Sequence, residues 1–298
     1  MKRLIFTFTL LCGFAAQSFA QAQPDPISTA IAEARAMINE GNVKGAVTRL
    51  QSSPDVKDIR VAQLLGVAYY QAGDLPRAIE TLAPIIDKLP QDSAQRREAV
   101  QTLGLSYYIM GRIADSIPFL EQTNAWAQSN HEMSYALGMA YLQTRQTAKA
   151  RESFARMFRV APEGGAAHLV TAQMMIRLEL LEFAEAELKL AIEKDPKLPQ
   201  AHYLLGQIAV FRARYDEGIQ LLEKEIALNP AHAMAYYKLG DAYTLQLKWD
   251  EAVAPLQKSI WLNPYYSGPY ILLGKTYMKK KNLSTAEAML KRALQFDP

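Results

Sequence analysis

The stretch YYKLGDAYTLQLKWDEAVAPLQKSIWLNP, at residues 236–264, is followed closely by YILLGKTYMKKKNLSTAEAMLKRALQFDP, at residues 270–298. Each stretch has a Leu-Gly pair near its start and ends in proline. Gly240 and Gly274 lie 34 residues apart, and apolar residues recur at the same distances from each of them. A repeated pattern of this length indicates stacked structural units, each too small to bury its apolar face alone.

The same pattern extends back along most of the chain. Twelve residues after the small residue the sequence usually has alanine, and sixteen after it leucine or phenylalanine. Twenty-four residues after it a proline closes six of seven units, with Gln128 as the exception. The small residues that begin the seven units are Gly66, Gly104, Gly138, Ala172, Gly206, Gly240 and Gly274.

Each recurring position has a mechanical role in a pair of helices. Leucine and tyrosine four residues apart lie on one face of a first helix, and the glycine between them lets a second helix approach closely. Gly73 and Gly111 suit the left-handed residue that ends a helix. Pro76 fits the first turn of a second helix, and Ser284 with Glu287 predicts a capping box for the last one.

This pattern resembles the tetratricopeptide repeat. The resemblance implies an all-α fold, a right-handed superhelical solenoid of about seven to eight helix-turn-helix repeats. It also implies that the first helices line a concave groove. The residues that carry the resemblance are Tyr236, Leu239, Gly240, Tyr243, Ala252, Leu256 and Pro264, with their counterparts in the other units.

The repeats define the expected organisation of the chain. Residues 59–298 form seven repeats, and residues 27–58 a degenerate repeat that caps the N-terminal end. Within this cap the segment GNVKGAVTRL, at residues 41–50, repeats the turn and the start of the second helix. A short linker, residues 21–26, precedes it.

Residues 1–20 are predicted to be a secretory signal peptide. A basic start is followed by the apolar run Leu4–Ala16, which is too short to span a membrane, and by small residues that predict cleavage after Ala20. A retained anchor is the alternative. We expect an exported protein, most readily a periplasmic protein of a bacterium.

Composition excludes several function classes. The 298 residues are 50% hydrophobic and 21% charged, which is an ordinary globular composition. Loss of Lys2 and Arg3 with the leader lowers the net charge from +3 to +1, so a nucleic-acid-binding surface is not expected. Loss of Cys12 leaves no disulfide, thiol nucleophile or thiolate metal site.

Catalytic and metal-binding motifs are weak. His131 and Glu132 begin like a zinc-protease motif, but Tyr135 stands where the second histidine is needed. His168 and His202 occupy equivalent places in adjacent repeats, where their rings could approach each other, and packing is the more ordinary interpretation. The sequence therefore predicts no catalytic residue, no metal site and no cofactor.

A second stripe on the first helices is the predicted partner-binding surface. It is rich in tyrosine, methionine and side-chain amides, which anchor protein partners and pair with peptide backbones. The lysines near the C-terminal end either steer an acidic partner or form a solvated face. The alternative for the stripe is that neighbouring first helices bury much of it, especially Leu105, Leu142, Ile176 and Val210. The candidate residues are Gln63, Tyr70, Gln101, Tyr108, Tyr135, Met139, Gln173, Tyr203, Gln207, Tyr237, Lys238, Asp241, Lys275 and Lys279.

These observations predict a non-catalytic protein–protein interaction scaffold. It would hold a peptide or amphipathic helix of a partner in its concave groove and assist assembly of an envelope complex. No membrane-spanning segment is expected after leader cleavage. One alternative is the recognition array of a larger enzyme whose catalytic domain is absent from this sequence. Another is docking or self-association through the apolar last helix, which carries Leu290 and Leu294.

Overall fold

The computed structural model describes residues 25–126 and 130–297. The predicted signal peptide, most of the linker, Gln128 and Pro298 lie outside these residues. Every regular element in the described ranges is helical. The chain divides into two compact units, residues 1–99 and 100–298, and each is described by itself.

The first unit contains four α-helices, the start of a fifth and one 3₁₀ turn in its described part. Asn42 caps the second helix, because its side chain accepts a hydrogen bond from the backbone N–H of Gly45. The elements are α1 (Pro26–Asn39), α2 (Val43–Gln51), α3 (Ile59–Gln71), α4 (Leu75–Leu82), the 3₁₀ turn Ile86–Lys88 and α5 (Ala94–Ile109), which continues into the second unit.

The second unit continues the same alternation of first and second helices. Each closing proline within the described residues lies a few residues beyond the end of a second helix, as the sequence predicted. Its helices are α6 (Ile113–Trp126), α7 (His131–Gln143), α8 (Thr147–Phe158), α9 (Gly165–Arg177), α10 (Leu181–Lys194), α11 (Ala201–Phe211), α12 (Tyr215–Leu228), α13 (Ala233–Leu245), α14 (Trp249–Leu262), α15 (Ser267–Lys279) and α16 (Leu283–Leu294).

Helices α7 to α16 pack as consecutive hairpins, and each of these hairpins packs on the next. Helix α11 pairs with α12 and α13 with α14, while α12 also contacts α13. Leu222 of one hairpin packs in a core cluster with Ala235 and Leu239 of the following hairpin. The apolar face of each repeat is therefore shared with its neighbour, as a solenoid requires.

The close approach of the two helices of a hairpin depends on glycine. A Cβ atom added to Gly240 would lie 2.5 Å from Cγ of Leu256, a side chain that is fully buried. No side chain larger than hydrogen fits there without displacing this leucine. The predicted role of the small residue is confirmed.

The turns within the hairpins use left-handed residues. Gly73 has φ +81° and Gly111 has φ +75°, which confirms the predicted helix ends. In later repeats the equivalent position carries a residue with a Cβ atom. Leu247 and Lys281, for example, both have φ 61°, a conformation that costs such residues conformational energy.

The predicted capping box of the last helix is wrong. Helix α16 begins at Leu283, two residues earlier than a Ser284 cap requires. Asn282 is the cap, because its Oδ1 accepts a hydrogen bond from the backbone N–H of Thr285 at 3.3 Å. Ser284 lies inside the first turn and its hydroxyl donates to the same Asn282 oxygen. The prediction for Pro76 is confirmed, since it lies in the first turn of α4.

Candidate functional site

Most predicted surface residues are neither fully buried nor fully exposed. Lys275 and Lys279 are exposed. Tyr70 packs against a core cluster of the first unit. Whether any of these residues binds a partner stays a prediction. The half-buried residues are Tyr70, Gln101, Tyr108, Tyr135, Gln173, Tyr203, Gln207, Tyr237, Lys238 and Asp241.

Two of the predicted residues are buried, so the expectation that they face an open groove is wrong. Gln63 is 1% exposed, and its amide donates a hydrogen bond to the carboxylate of Glu98 at 2.9 Å. Met139 is 6% exposed. A buried side chain with satisfied partners contributes to packing and is not available to a second protein.

The alternative of burial between helices is confirmed for much of the stripe. Leu105, Leu142 and Val210 are all buried. Ile176 is only half-buried and lines a cavity. The stripe therefore combines packing residues with residues that reach the surface.

A cavity of about 750 Å³ lies between α9, α11 and α13. Its size falls in the range of ligand-binding clefts, and its walls are mainly apolar. Three predicted residues, Gln207, Lys238 and Asp241, lie in its wall. The complete lining is Ile176, Glu179, Leu181, Gln207, Ile208, Val210, Phe211, Tyr215, Lys238, Asp241 and Leu245.

Two apolar side chains at this cavity were not predicted. Phe211 ends α11 and is 75% exposed, and Leu245 ends α13 and is 46% exposed. The repeat pattern of the sequence gives no reason to distinguish these two residues from residues of the core. A helix boundary placed at Phe211 could have indicated its exposure, because side chains at helix ends often extend past the packed region.

Two of the three charged residues in the cavity wall, Lys238 and Asp241, neutralise each other. Nζ of Lys238 lies 3.4 Å from a carboxylate oxygen of Asp241, one helical turn away. The same ammonium lies 5.1 Å from the ring centroid of Tyr237, which favours a cation–π contact. The cavity therefore offers apolar surface with one ion pair, the carboxylate of Glu179 and the polar groups of Gln207 and Tyr215 in its wall.

An aromatic cluster lies near the N-terminal ends of α11, α13 and α15. The ring of Tyr203 is 4.7 Å from that of His232, and Tyr237 meets Tyr266 edge to face at 5.2 Å. Burial raises the pKa of the Tyr237 phenol, and the neighbouring Tyr266 and Asp241 raise it further. Tyr237 is therefore a neutral hydrogen-bonding group throughout the physiological range.

A buried carboxylate fixes Tyr203. Glu225 of α12 is fully buried, and it accepts hydrogen bonds from the backbone N–H groups of Gln200 and Tyr203 at 3.2 and 3.4 Å. It also accepts one from Nδ1 of His232 at 2.9 Å. Helix α11 has no side-chain cap of its own, so Glu225 satisfies its first N–H groups from the neighbouring helix. Burial alone would raise the pKa of Glu225, but these hydrogen bonds outweigh it and the pKa is lowered.

Further along the array the structure brings other predicted residues together. Burial raises the pKa of Tyr108, and the nearby Tyr135 adds to this effect. The amide of Gln173 donates to the side-chain carbonyl of Gln200 at 3.3 Å. Tyr108 and Tyr135 are therefore neighbours, and Gln173 is held by a residue of the following repeat.

The two equivalent histidines have separate partners. Nδ1 of His168 donates to the carboxylate of Glu187 at 2.7 Å, and Nε2 of His202 donates to the backbone carbonyl of Pro196 at 3.2 Å. Both rings serve the packing of repeats. Across residues 25–126 and 130–297, no group of three or more histidine, cysteine or acidic side chains is placed to hold a metal ion.

None of the helices in the described ranges is both long and apolar enough to cross a bilayer.

Sequence comparison identifies the repeats. A tetratricopeptide repeat model matches residues 135–199 and 203–266, and a second one matches residues 268–298. Together these matches cover more than half of the chain. No curated protein matches this sequence.

Similar solved structures include a crystal structure of MamA, 23% identical over 65% of this chain and 94% of that one, with a TM-score of 0.38. The Cut9–Hcn1 hetero-tetramer of APC/C is 15% identical, over 85% of this chain and 49% of that one, with a TM-score of 0.48. A tetratricopeptide repeat protein from Parabacteroides merdae is 19% identical, over 80% and 93%, with a TM-score of 0.42. Because these scores are below 0.5, only the sequence matches carry weight.

Proposed function

Because the chain belongs to the tetratricopeptide repeat family, whose arrays are protein-interaction scaffolds, we propose that its first helices hold a peptide or amphipathic helix of a partner protein. The observation that carries the proposal is the cavity of about 750 Å³ between α9, α11 and α13. Its wall contains both predicted binding residues and an exposed aromatic side chain. Recognition sites typically combine an apolar recess with a few polar groups.

The chemistry of the cavity fits an apolar side chain of a partner. Phe211 and Leu245 offer exposed apolar surface, and Ile176 extends it. The amide of Gln207 supplies both a donor and an acceptor for a peptide backbone. Lys238 and Asp241 are already paired, so they orient a partner and do not demand a particular net charge.

The role is proposed to be non-catalytic. The polar groups at the cavity are one amide, one ion pair, Glu179 and Tyr215. They do not include a nucleophile beside a base, which covalent catalysis requires. Recognition without reaction is the function that these groups support best.

Site-specific photo-crosslinking tests the proposal. Benzoyl-phenylalanine placed at Phe211 should capture one partner in cells, whereas the same probe at Phe183 should not. Phe183 is the matched control because it is 42% exposed, lies on second helix α10 and does not line the cavity. A peptide from the captured partner should then lose about tenfold or more in affinity for F211A. Equal capture at both positions would contradict the proposal.

We also propose that the protein is exported and assists assembly of a complex in the bacterial envelope. The arrangement of basic, apolar and small residues at positions 1–20 supports export. N-terminal sequencing of the protein purified from its native cells should find a chain that begins at Gln21. Recovery of a chain that begins at Met1 would contradict export through cleavage.

A further inference from the structure

The last three second helices carry a recurring pair of side chains. In α12, α14 and α16 a cation stands near the helix end, and a large apolar side chain follows it by three or four residues, which in the last case places Phe296 just beyond the end of α16. Residues three or four apart lie on one face of a helix. The three cations lie 34 residues apart and so occupy equivalent places, whereas Trp261 lies one position before the equivalent of Leu228 and Phe296. We name these six residues the second-helix ladder: Lys224 and Leu228, Lys258 and Trp261, Arg292 and Phe296.

Two apolar members of the second-helix ladder extend into solvent, while Phe296 is half-buried. Trp261 is 72% exposed and Leu228 is 41% exposed. Tyr265, in the loop after α14, is 77% exposed and meets Phe296 edge to face at 5.9 Å. An exposed tryptophan beside an exposed tyrosine is unusual on a surface that faces only water.

The cations lie against these rings. Nζ of Lys258 is 3.9 Å from the ring centroid of Trp261, and the guanidinium of Arg292 is 5.2 Å from that of Phe296. The last turns of α14 and α16 contain no acidic residue, and Glu225 in α12 is fully buried. Cations near helix ends are favoured by the helix dipole, but this does not account for the exposed tryptophan.

We infer that the second-helix ladder docks on the surface of an anionic lipid bilayer. Tryptophan and tyrosine concentrate at membrane interfaces because each combines an apolar ring with one polar group. Lysine and arginine beside them attract anionic headgroups. The side chains project outward, whereas hot spots between proteins usually fill recessed pockets. This attachment is peripheral and uses a surface apart from the cavity of the first helices.

Vesicle binding of the full chain tests this inference. Vesicles of phosphatidylcholine with phosphatidylglycerol should sediment the protein, vesicles of phosphatidylcholine alone should not, and added salt should weaken binding. Each neutralised cation should reduce binding about fivefold, so K224Q/K258Q/R292Q should lose about a hundredfold. The control K44Q/K57Q/K88Q removes the same charge from exposed positions elsewhere and should bind like wild type.

Trp261 supplies an independent readout. The sequence has three tryptophans, so W126F/W249F leaves Trp261 as the one emitter. Lipid with brominated chains should quench its fluorescence when anionic vesicles are present. No sedimentation of wild type, equal losses in the two triple variants, or an unquenched Trp261 on bound vesicles would each overturn the inference. Use of the second-helix ladder by a protein partner without vesicle binding would overturn it as well.

Discussion

The ring nitrogen Nδ1 of His232 donates a hydrogen bond to the carboxylate of Glu225 at 2.9 Å, and the carboxylate is fully buried. His232 precedes α13, while Glu225 lies on α12 and also holds the start of α11. One carboxylate therefore joins three consecutive helices. Because Tyr203 is one of its donors, this junction also positions the aromatic cluster.

Removing this carboxylate should destabilise the protein strongly. In E225A the N–H groups of Gln200 and Tyr203 and the ring of His232 lose their common acceptor, and a cavity forms in the core. Breaking a buried charged pair of this kind costs roughly 3–5 kcal/mol. Urea denaturation should therefore show a large fall in the unfolding free energy. E193A removes an exposed carboxylate from α10 and should change it by less than about 0.5 kcal/mol. Similar losses in both variants would contradict the assigned role.

Acid should weaken a second inter-repeat contact. Glu185 of α10 is 7% exposed, and its carboxylate lies 2.7 Å from a guanidinium nitrogen of Arg214 and 2.8 Å from Nζ of Lys189. The hydrogen bond from Arg214 is the main reason that the pKa of Glu185 falls from 4.5 to about 2, against the opposing effect of burial.

The sign of the pH effect follows from this lowered pKa. Glu185 stabilises the folded state fully above about pH 4.5, and this contribution is lost as pH falls towards about 2. Between these limits the unfolding free energy of wild type should fall more steeply than that of E185Q. Parallel pH profiles measured by urea denaturation would show that this carboxylate does not supply the effect.

The paired helices could be predicted from the sequence because their determinants are local. Gly240, Tyr243 and Leu256 all lie within one repeat, and each occupies the position that helical periodicity predicts for it. The same periodicity marked Gln63 as part of an open stripe. Its burial depends on Glu98, 35 residues away, whose position is fixed only when the hairpins pack.

The polar junctions and the cavity could not be predicted for the same reason. Glu225 breaks the apolar pattern of the second helices, and nothing in the spacing of the repeats indicates its partners. Its donors come from 7, 22 and 25 residues away. Phe211 was missed for a different reason. An aromatic residue is normally assigned to the core, whereas the exposure of Phe211 depends on where α11 ends.

Relieving a strained turn should stabilise the protein. Leu247 has φ 61° and is 68% exposed, so its replacement by glycine removes conformational strain with little loss of packing. Glycine loses more entropy on folding, so the expected net gain for L247G is about 0.5–1 kcal/mol.

The reciprocal control is G73A, where φ is +81° and a new Cβ has no neighbour within 4 Å. That variant should lose about 1–2 kcal/mol through strain alone. A loss of stability in L247G would contradict this account.

The contact between Gly240 and Leu256 should show strong coupling in a double-mutant cycle. In G240A the new Cβ meets Cγ of Leu256 at 2.5 Å and Cδ2 at 2.6 Å, an overpacking that costs about 1–3 kcal/mol. L256A leaves a cavity that costs about 2–5 kcal/mol. In the double variant the added methyl enters that space, so the combined loss should be smaller than the sum by about 0.5–3 kcal/mol.

G240A combined with L188A, a fully buried leucine of α10, should give additive losses measured by urea denaturation. Additive losses for G240A with L256A as well would show that the glycine does not set the distance between α13 and α14.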